Sequence, residues 1–379
     1  MNRSTLSTAA LLTLAGLASA QTAGDILFVA NQSGRTAQTE PDFIGFIPGA
    51  GGAQTTLYTA PTTDVNFRHV NFFNGQYYFS DATAFPSTST TGAIFTVDSL
   101  FSGAGTRSDL ATAGLVNSPF DLSYHAPSNS AIVVNNPSGT GIFDNPEDGI
   151  TAVNLGSGAT QQLFQEPVPM PGEAERYDGG TDIVADPARP GSYYVLTVNE
   201  GVGPGNADGA PSVLFRLTVS DDLTTSTVEL VQDFSASETG IDAITFATGL
   251  TVGPNGNVFV TSGNSESVIY EVGIDGAGNS TGVSEFADIQ AMQTAMGLEF
   301  GTVEEIEYDP FNQRFVLAER TRNNDPGLSR ISEIGLDGLG YSELATGFAV
   351  NDIIIIPTPG AASMLALAGL AAVRRRRSA

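Results

Sequence analysis

Glu271-Val-Gly-Ile-Asp275-Gly-Ala-Gly278 returns 62 residues later as Glu333-Ile-Gly-Leu-Asp337-Gly-Leu-Gly340. In each copy apolar and polar residues alternate up to an Asp-Gly pair. That pattern marks a strand entering a hairpin turn, where glycine reaches the positive φ the turn needs. The strand leaving the turn repeats too, since Ser284-Glu-Phe-Ala287 is echoed by Ser342-Glu-Leu-Ala345. Self-similarity at this interval means stacked supersecondary units.

With that unit as template, six copies of a central strand stand out. They are Ile26–Val29, Tyr77–Phe79, Ala131–Val134, Tyr193–Leu196, Val258–Val260 and Arg314–Leu317, with centres roughly 50 to 65 residues apart. Most are preceded by a strand and a turn, as in Asp182-Ile-Val-Ala-Asp186-Pro187 or Ile306-Glu-Tyr-Asp309-Pro310. A third strand follows, such as Ala93–Val97 or Val213–Leu217, then a fourth, such as Thr56–Tyr58 or Val228–Val231. The first copy lacks its preceding strand, and Asn351-Asp-Ile-Ile-Ile-Ile356 is left over at the other end. The expected fold class is all-β: a six-bladed β-propeller of four-stranded antiparallel blades, closed by strand 351–356 pairing into the first blade. Four consecutive Ile suit an innermost strand buried on both faces. Pro357 and Pro359 prevent the run from continuing as a helix.

Gly249-Leu-Thr-Val-Gly-Pro-Asn-Gly-Asn-Val-Phe-Val260 resembles the repeats of NHL-type and gluconolactonase-type propellers. In such rings ligands sit over the axis, on the face where the innermost strands begin. Repeat register places Arg68, His69, Asp121, Asp182, Glu304, Glu305, Asn351 and Asp352 at those strand starts. It places Asn31, Asp81, Asn135, Asn136, Asn199, Glu200, Asn264, Glu319 and Arg320 where second strands end. A ring of oxygen ligands suits a hard cation such as Ca²⁺. The gluconolactonase resemblance implies a metal held by Glu, Asn and Asp, which activates a lactone. Carried onto this chain, Asp182, Asn136, Asn199 and Glu305 become the ligands and Asp121 the base. The competing expectation is structural, because Asp and Asn at strand starts also cap neighbouring backbone amides. The acidic stretches 144–149 and 206–209 are further candidate Ca²⁺ loops, though neither has EF-hand spacing. His69 and His125, the two histidines, belong to different repeats, so neither points to zinc.

Composition narrows the chemistry further. The chain has no Cys, so it has no disulfide, thiol nucleophile or thiolate metal site. All fifteen basic residues are Arg, which removes Schiff-base lysines and P-loop chemistry. Residues 21–356 carry ten Arg against forty-one acids, a balance of about −31, which repels nucleic acid.

The two ends read as addresses. Arg3, the apolar stretch Ala9–Ala18 and Ala18-Ser19-Ala20 make an export signal over residues 1–20, with cleavage expected after Ala20. Residues 357–379 join Pro357-Thr358-Pro359 to an apolar run, Ala361–Val373, and to Arg374, Arg375, Arg376 and Arg377. As a helix those thirteen apolar residues extend about 20 Å, short of a hydrocarbon core of about 30 Å. The tail resembles the PEP-CTERM sorting signal of bacterial envelope proteins, with Thr358 in place of the usual Glu. The resemblance implies a partner enzyme that sorts the chain, with transient membrane association. The expected organisation is signal 1–20, propeller 21–356 and sorting tail 357–379. The expected role is an exported cell-surface or extracellular-matrix module that binds polysaccharide or protein. The alternative is a divalent-metal-dependent lactonase-like hydrolase with its site in the axial pocket.

Overall fold

The computed structural model describes residues 22–357 apart from 32–40, 63–64, 83–91, 103–104, 113–115, 117, 136–148, 166–179, 198–210, 236–238, 240–242, 245, 264–266 and 322–328. Its strands form six antiparallel sheets of four. Blade 1 combines β1 (Ile26–Ala30), β2 (Phe43–Ile47) and β3 (Thr55–Thr59) with the last strand of the chain. Blade 2 is β4 (Phe67–Phe73), β5 (Gln76–Asp81), β6 (Ala93–Asp98) and β7 (Thr106–Thr112). Blade 3 is β8 (Pro119–His125), β9 (Ser130–Asn135), β10 (Gly149–Asn154) and β11 (Thr160–Gln165). Blade 4 is β12 (Gly180–Ala185), β13 (Ser192–Thr197), β14 (Val213–Val219) and β15 (Ser226–Asp233). Blade 5 is β16 (Ala247–Val252), β17 (Val258–Ser262), β18 (Val268–Ile274) and β19 (Ser280–Asp288). Blade 6 is β20 (Gly301–Asp309), β21 (Arg314–Thr321), β22 (Arg330–Gly335) and β23 (Ser342–Thr346), and β24 (Val350–Ile355) then returns to blade 1. A two-turn helix, α1 (Ile289–Ala295), links blades 5 and 6, its first turn capped by the Asp288 carboxylate.

The innermost strands β24, β4, β8, β12, β16 and β20 touch in succession and close the ring. The chain is a six-bladed β-propeller, closed as the leftover strand predicts. β24 pairs antiparallel with β1, Ile26 opposite Ile355 and Val29 opposite Asp352. All six innermost strands run the same way, so they begin at one face of the ring, the entrance face, and finish at the exit face. Residues 22–25 and 356–357 lie together at the exit face, where Ile356 N–H donates to the Asp25 carbonyl at 2.7 Å.

The core is divided among the six seams between blades. Ile26, Phe28 and Ala30 of β1 pack against blade 6, while the alternate residues Leu27 and Val29 pack against blade 2. This is the two-residue period of a strand with both faces buried, and the other four seams repeat it. It explains why the second strands read as near-continuous apolar runs. Outer strands alternate instead, as in the half-exposed Ser226–Asp233.

Two local details differ from the sequence expectation or refine it. In the Asp275 hairpin the left-handed residue is Gly278 (φ 88°) rather than Gly276, whereas the Asp337 hairpin does use Gly338 (φ 74°). At the closure, Phe28 stacks on Phe348 with ring centroids 4.6 Å apart. Gly45 makes room for that ring, since a Cβ there would lie 2.2 Å from Phe28 Cζ. Phe28 is fully buried, so Phe28→Ala is expected to cost about 3–5 kcal/mol in denaturant unfolding. A loss below about 1 kcal/mol would contradict this account of the closing seam.

Candidate functional site

Each innermost strand carries one extra residue relative to its partner, near its start. The register breaks fall between Phe67 and Val70, Pro119 and Asp121, Gly180 and Asp182, Ala247 and Leu250, Val303 and Glu305, and at Asn351 opposite Val29/Ala30. A bulge bends its strand and re-aims the next side chain. Here six of them bring His69, Asp121, Asp182, Gly249, Glu305 and Asp352 to equivalent positions around the axis. The sequence reading placed all of these except Gly249 at the axial strand starts. It did not reveal the bulges, because an inserted residue has no signature of its own.

The side chains at this hub are bonded to one another and to neighbouring blades. His69 lies between two carboxylates, Nε2 at 2.5 Å from Asp121 and Nδ1 at 2.8 Å from Asp352. Asp352 also accepts from Val70 N–H of blade 2 at 2.6 Å. Asp121 accepts from Ile183 N–H of blade 4 at 2.7 Å, and Asp182 from Leu250 N–H of blade 5 at 2.6 Å. At Gly249 the scheme lapses because a Cβ would lie 2.7 Å from Glu305 Cα. There Ile306 N–H is taken by Glu305 itself at 2.8 Å. Asn351 ties three blades, donating to the Phe67 carbonyl at 2.6 Å and accepting from Arg320 at 2.7 Å. Arg68 lies 4.7 Å over the Phe120 ring.

Electrostatics follow from burial and from acids outnumbering cations. Asp121, Asp182 and Asp352 are 2–3% exposed, whereas Glu305 and Glu307 are part-exposed. Burial alone would lower His69, but Asp121 and Asp352 outweigh it and hold the imidazole protonated well above its usual range. Burial pushes Asp121 up, yet the His69 charge and hydrogen bonds from Asp182, His69 and Ile183 keep it low. Asp182 is pushed well above the carboxylate range by burial and by the charges of Glu305 and Asp121. Glu305 is raised for the same reasons, with Asp352 its strongest acidic neighbour. Burial lifts Glu307 to about 7 despite the Thr251 hydroxyl that donates to it at 3.0 Å. The hub is therefore one imidazolium among ionised and protonated carboxyls.

A second buried carboxylate lies one strand further out. Glu319 accepts from Ser332, from Tyr341 at 2.8 Å and from Gln293 of α1 at 2.7 Å, with Arg330 at 3.4 Å. Burial raises it to about 7. Gln293 also brackets the Gly301 peptide, donating to its carbonyl and accepting from its N–H. This network fixes α1 against blade 6.

Of the predicted ligand set, Asp182 and Glu305 meet at the axis beside Asp121. Asn136 and Asn199 lie outside the described residues, as do the acidic stretches 144–148 and 206–209, Glu200 and Asn264. Ala20, Thr358, Pro359 and Arg374–Arg377 are also outside them, and Pro357 is the last residue described. Among the described residues no group of three or more His, Asp or Glu is placed to hold one metal ion. His125 is a buried structural residue, Nδ1 at 2.7 Å from the Ser128 hydroxyl. Phe72–Tyr77 and Phe73–Tyr78 are packing pairs, with centroids 4.6 and 4.5 Å apart. A groove of about 550 Å³ at the rim of the blade 6–blade 1 seam is lined by Gly52–Gln54 and Glu343–Thr346. It lies on the outer strand, away from the axial acids.

No known protein family matches this sequence, and no curated protein matches it. Solved structures do. TolB from Acinetobacter baumannii is 13% identical with a TM-score of 0.53, over 88% of this chain and 67% of that one. A nidogen/laminin complex gives 12% and 0.55, over 87% and 97% of the two chains. The periplasmic gluconolactonase of Pseudomonas aeruginosa gives 13% and 0.53, over 88% and 100%. At these identities the likeness is one of fold.

The hub carries a pH signature. Asp182, Glu305, Glu307 and Glu319 keep protons in the folded state that an unfolded chain releases above about pH 4. Folding then binds protons, so this part of the stability falls as pH rises from about 4 towards 7. The His69 contribution has the same sign, present below about 6.5 and lost as pH climbs past its raised value. Asp121 acts oppositely, below about pH 4. The melting temperature is expected to be higher at about pH 5.5 than at pH 8. His69→Gln strands two buried carboxylates and is expected to cost about 3–5 kcal/mol, with a flatter pH profile. A higher melting temperature at pH 8 would contradict the assignment.

Proposed function

We propose that this propeller is a non-enzymatic binding or scaffold module, exported and held at the bacterial envelope by its C-terminal segment. The observation that carries the non-enzymatic reading is the use made of the axial carboxylates. Asp121, Asp182 and Asp352 each accept a backbone N–H from another blade, and Asp121 and Asp352 also share His69. A general base or metal ligand needs oxygens free to meet substrate or cation. These are committed to joining blades.

Export is supported by Arg3, Ala9–Ala18 and Ala18-Ser19-Ala20, and envelope retention by Pro357–Pro359, Ala361–Val373 and Arg374–Arg377. The similar folds of a periplasmic gluconolactonase and of nidogen agree with life outside the cytoplasm. In this reading a sorting enzyme acts on the tail, and the ring meets envelope polysaccharide or a surface protein. Deleting residues 358–379 is expected to release the protein into the medium, measured by immunoblot of cell and medium fractions. Retention at the envelope would contradict the role of the tail.

The lactonase reading keeps one observation in its favour. Glu305 is part-exposed at the axis beside Asp182, and both carboxyls have raised proton affinity, as at many catalytic sites. The described residues do not complete a calcium set around them. In the binding-module reading, any calcium the purified protein holds serves its loops, and the protein is expected to leave lactones unhydrolysed with or without added calcium. Calcium-dependent lactone hydrolysis lost in Asp182→Ala and Glu305→Ala would overturn the binding-module reading.

A further inference from the structure

The geometry points to the exit face of blades 1, 2 and 3, with the adjoining 310–313 turn of blade 6, as a membrane-apposed face, held close to lipid headgroups while the tail is inserted. This rests on the reading of Ala361–Val373 as a membrane-inserting segment. Three features of the folded ring carry it further than that reading goes.

The first is the length of the tether. Ile356 is fixed to the exit face, accepting from Gly24 N–H at 3.2 Å and donating to the Asp25 carbonyl at 2.7 Å. Residues 357–360 alone separate it from the apolar run. Four extended residues span at most about 14 Å. The headgroup layer on one side of a bilayer takes up about 5–8 Å of that. With the run in the hydrocarbon, at most about 6–9 Å can separate the ring from the headgroups, and the face that meets the lipid is the one the tether leaves from.

The second is the distribution of charge. In a chain with forty-one acids, the exit-face turns 48–54, 74–75, 99–102, 126–129 and 155–159 contain none, nor does 310–313 of blade 6. They contain no Arg either. Acids return in the turns of blades 4 to 6, at Asp186, Asp221, Asp222, Asp275 and Asp337. Asp98, at the end of β6, is an exposed acid beside the neutral sector, while Asp25 is buried and bonded to Thr22 and Gly49. An anionic leaflet repels acidic surface within a Debye length. The sector next to the tether is the one from which that repulsion has been removed.

The third is apolar side chains at the tether. Phe311 is 45% exposed, and its Cβ lies 3.4 Å from where a Cβ on Gly24 would sit. At the adjacent blade 1–blade 2 seam, Phe46, Phe72, Tyr77 and Phe101 are part-exposed and in mutual ring contact. Aromatic rings favour the headgroup level of a bilayer. The consequence is an orientation: the entrance face, with the axial hub, points away from the membrane towards any partner.

The absence of Trp makes a direct test available. Single-tryptophan variants of the full chain, Phe311→Trp at the exit face and Met296→Trp at the entrance face, are bound to vesicles of neutral and anionic phospholipid with brominated acyl chains. Met296 is 51% exposed, so both substitutions sit at the surface. Phe311→Trp is expected to lose about half its emission and shift to the blue, while Met296→Trp keeps its emission. A flexible insert of about 20 residues after Gly360 is expected to abolish the quenching while the chain still floats with vesicles. Unquenched Phe311→Trp on a chain that floats, or quenching of Met296→Trp instead, would overturn the orientation. Failure of the full chain to float would overturn the tail reading itself, and the inference with it.

Discussion

Everything at the axis depends on one pairing, that of β24 with β1. Without it the first blade has three strands and an open edge, and the sixth seam has no partner for Val316, Ala318 and Ile331. With it, Asp352 stands opposite Val29, within reach of Val70 N–H and His69. The closing strand therefore supplies a quarter of a sheet and one of the two carboxylates that hold His69. Strand pairing far apart in sequence is costly in loop entropy. The bonds from Asp352 and Asn351 to blade 2 offset part of that cost by giving the last strand partners beyond its own sheet.

Arginine solves the same problem elsewhere in the molecule. Arg314 of blade 6 bonds Asp309, Glu333 and the Gly49 carbonyl of blade 1. Arg189 and Arg216 of blade 4 hold the Asp275 and Ala277 carbonyls of the blade 5 hairpin. A planar guanidinium with five donors can satisfy an acid on its own blade and a carbonyl on the next. A lysine ammonium has no such fork, which gives a physical sense to a chain with arginine and no lysine. Arg189, Arg216, Arg314 and Arg320 are thus spent between blades, while Arg107 and Arg330 pair with acids of their own blade.

Much of the fold was legible because a propeller repeats its pattern. The central strands, the Asp-Gly hairpins and the leftover Asn351–Ile356 gave blade count, strand order and closure. The axial ring was legible only in outline. His69, Asp121, Asp182, Glu305 and Asp352 could be placed at strand starts by register, yet their partners could not. Whether Asp121 faces a metal, a substrate or the Ile183 amide depends on a one-residue bulge and on the offset between blades, and neither leaves a trace in residue order. His69 was set aside as an isolated imidazole because its two carboxylates come from residues 52 and 283 positions away. The Glu319 network was hidden for a similar reason, since Gln293 reaches it from a helix that no strand repeat contains.

The central claim is that the axial carboxylates are committed to the ring's own architecture, with His69 as their cation. The most direct measurement is the protonation state of the two imidazoles by nitrogen-15 NMR, assigned with a His125 variant. His69 is predicted to be protonated on both nitrogens at about pH 7.5, well past its ordinary range, while His125, lowered by burial, is neutral there. A neutral His69 titrating near its ordinary value would contradict the claim, and would leave Asp121 and Asp352 free for other chemistry.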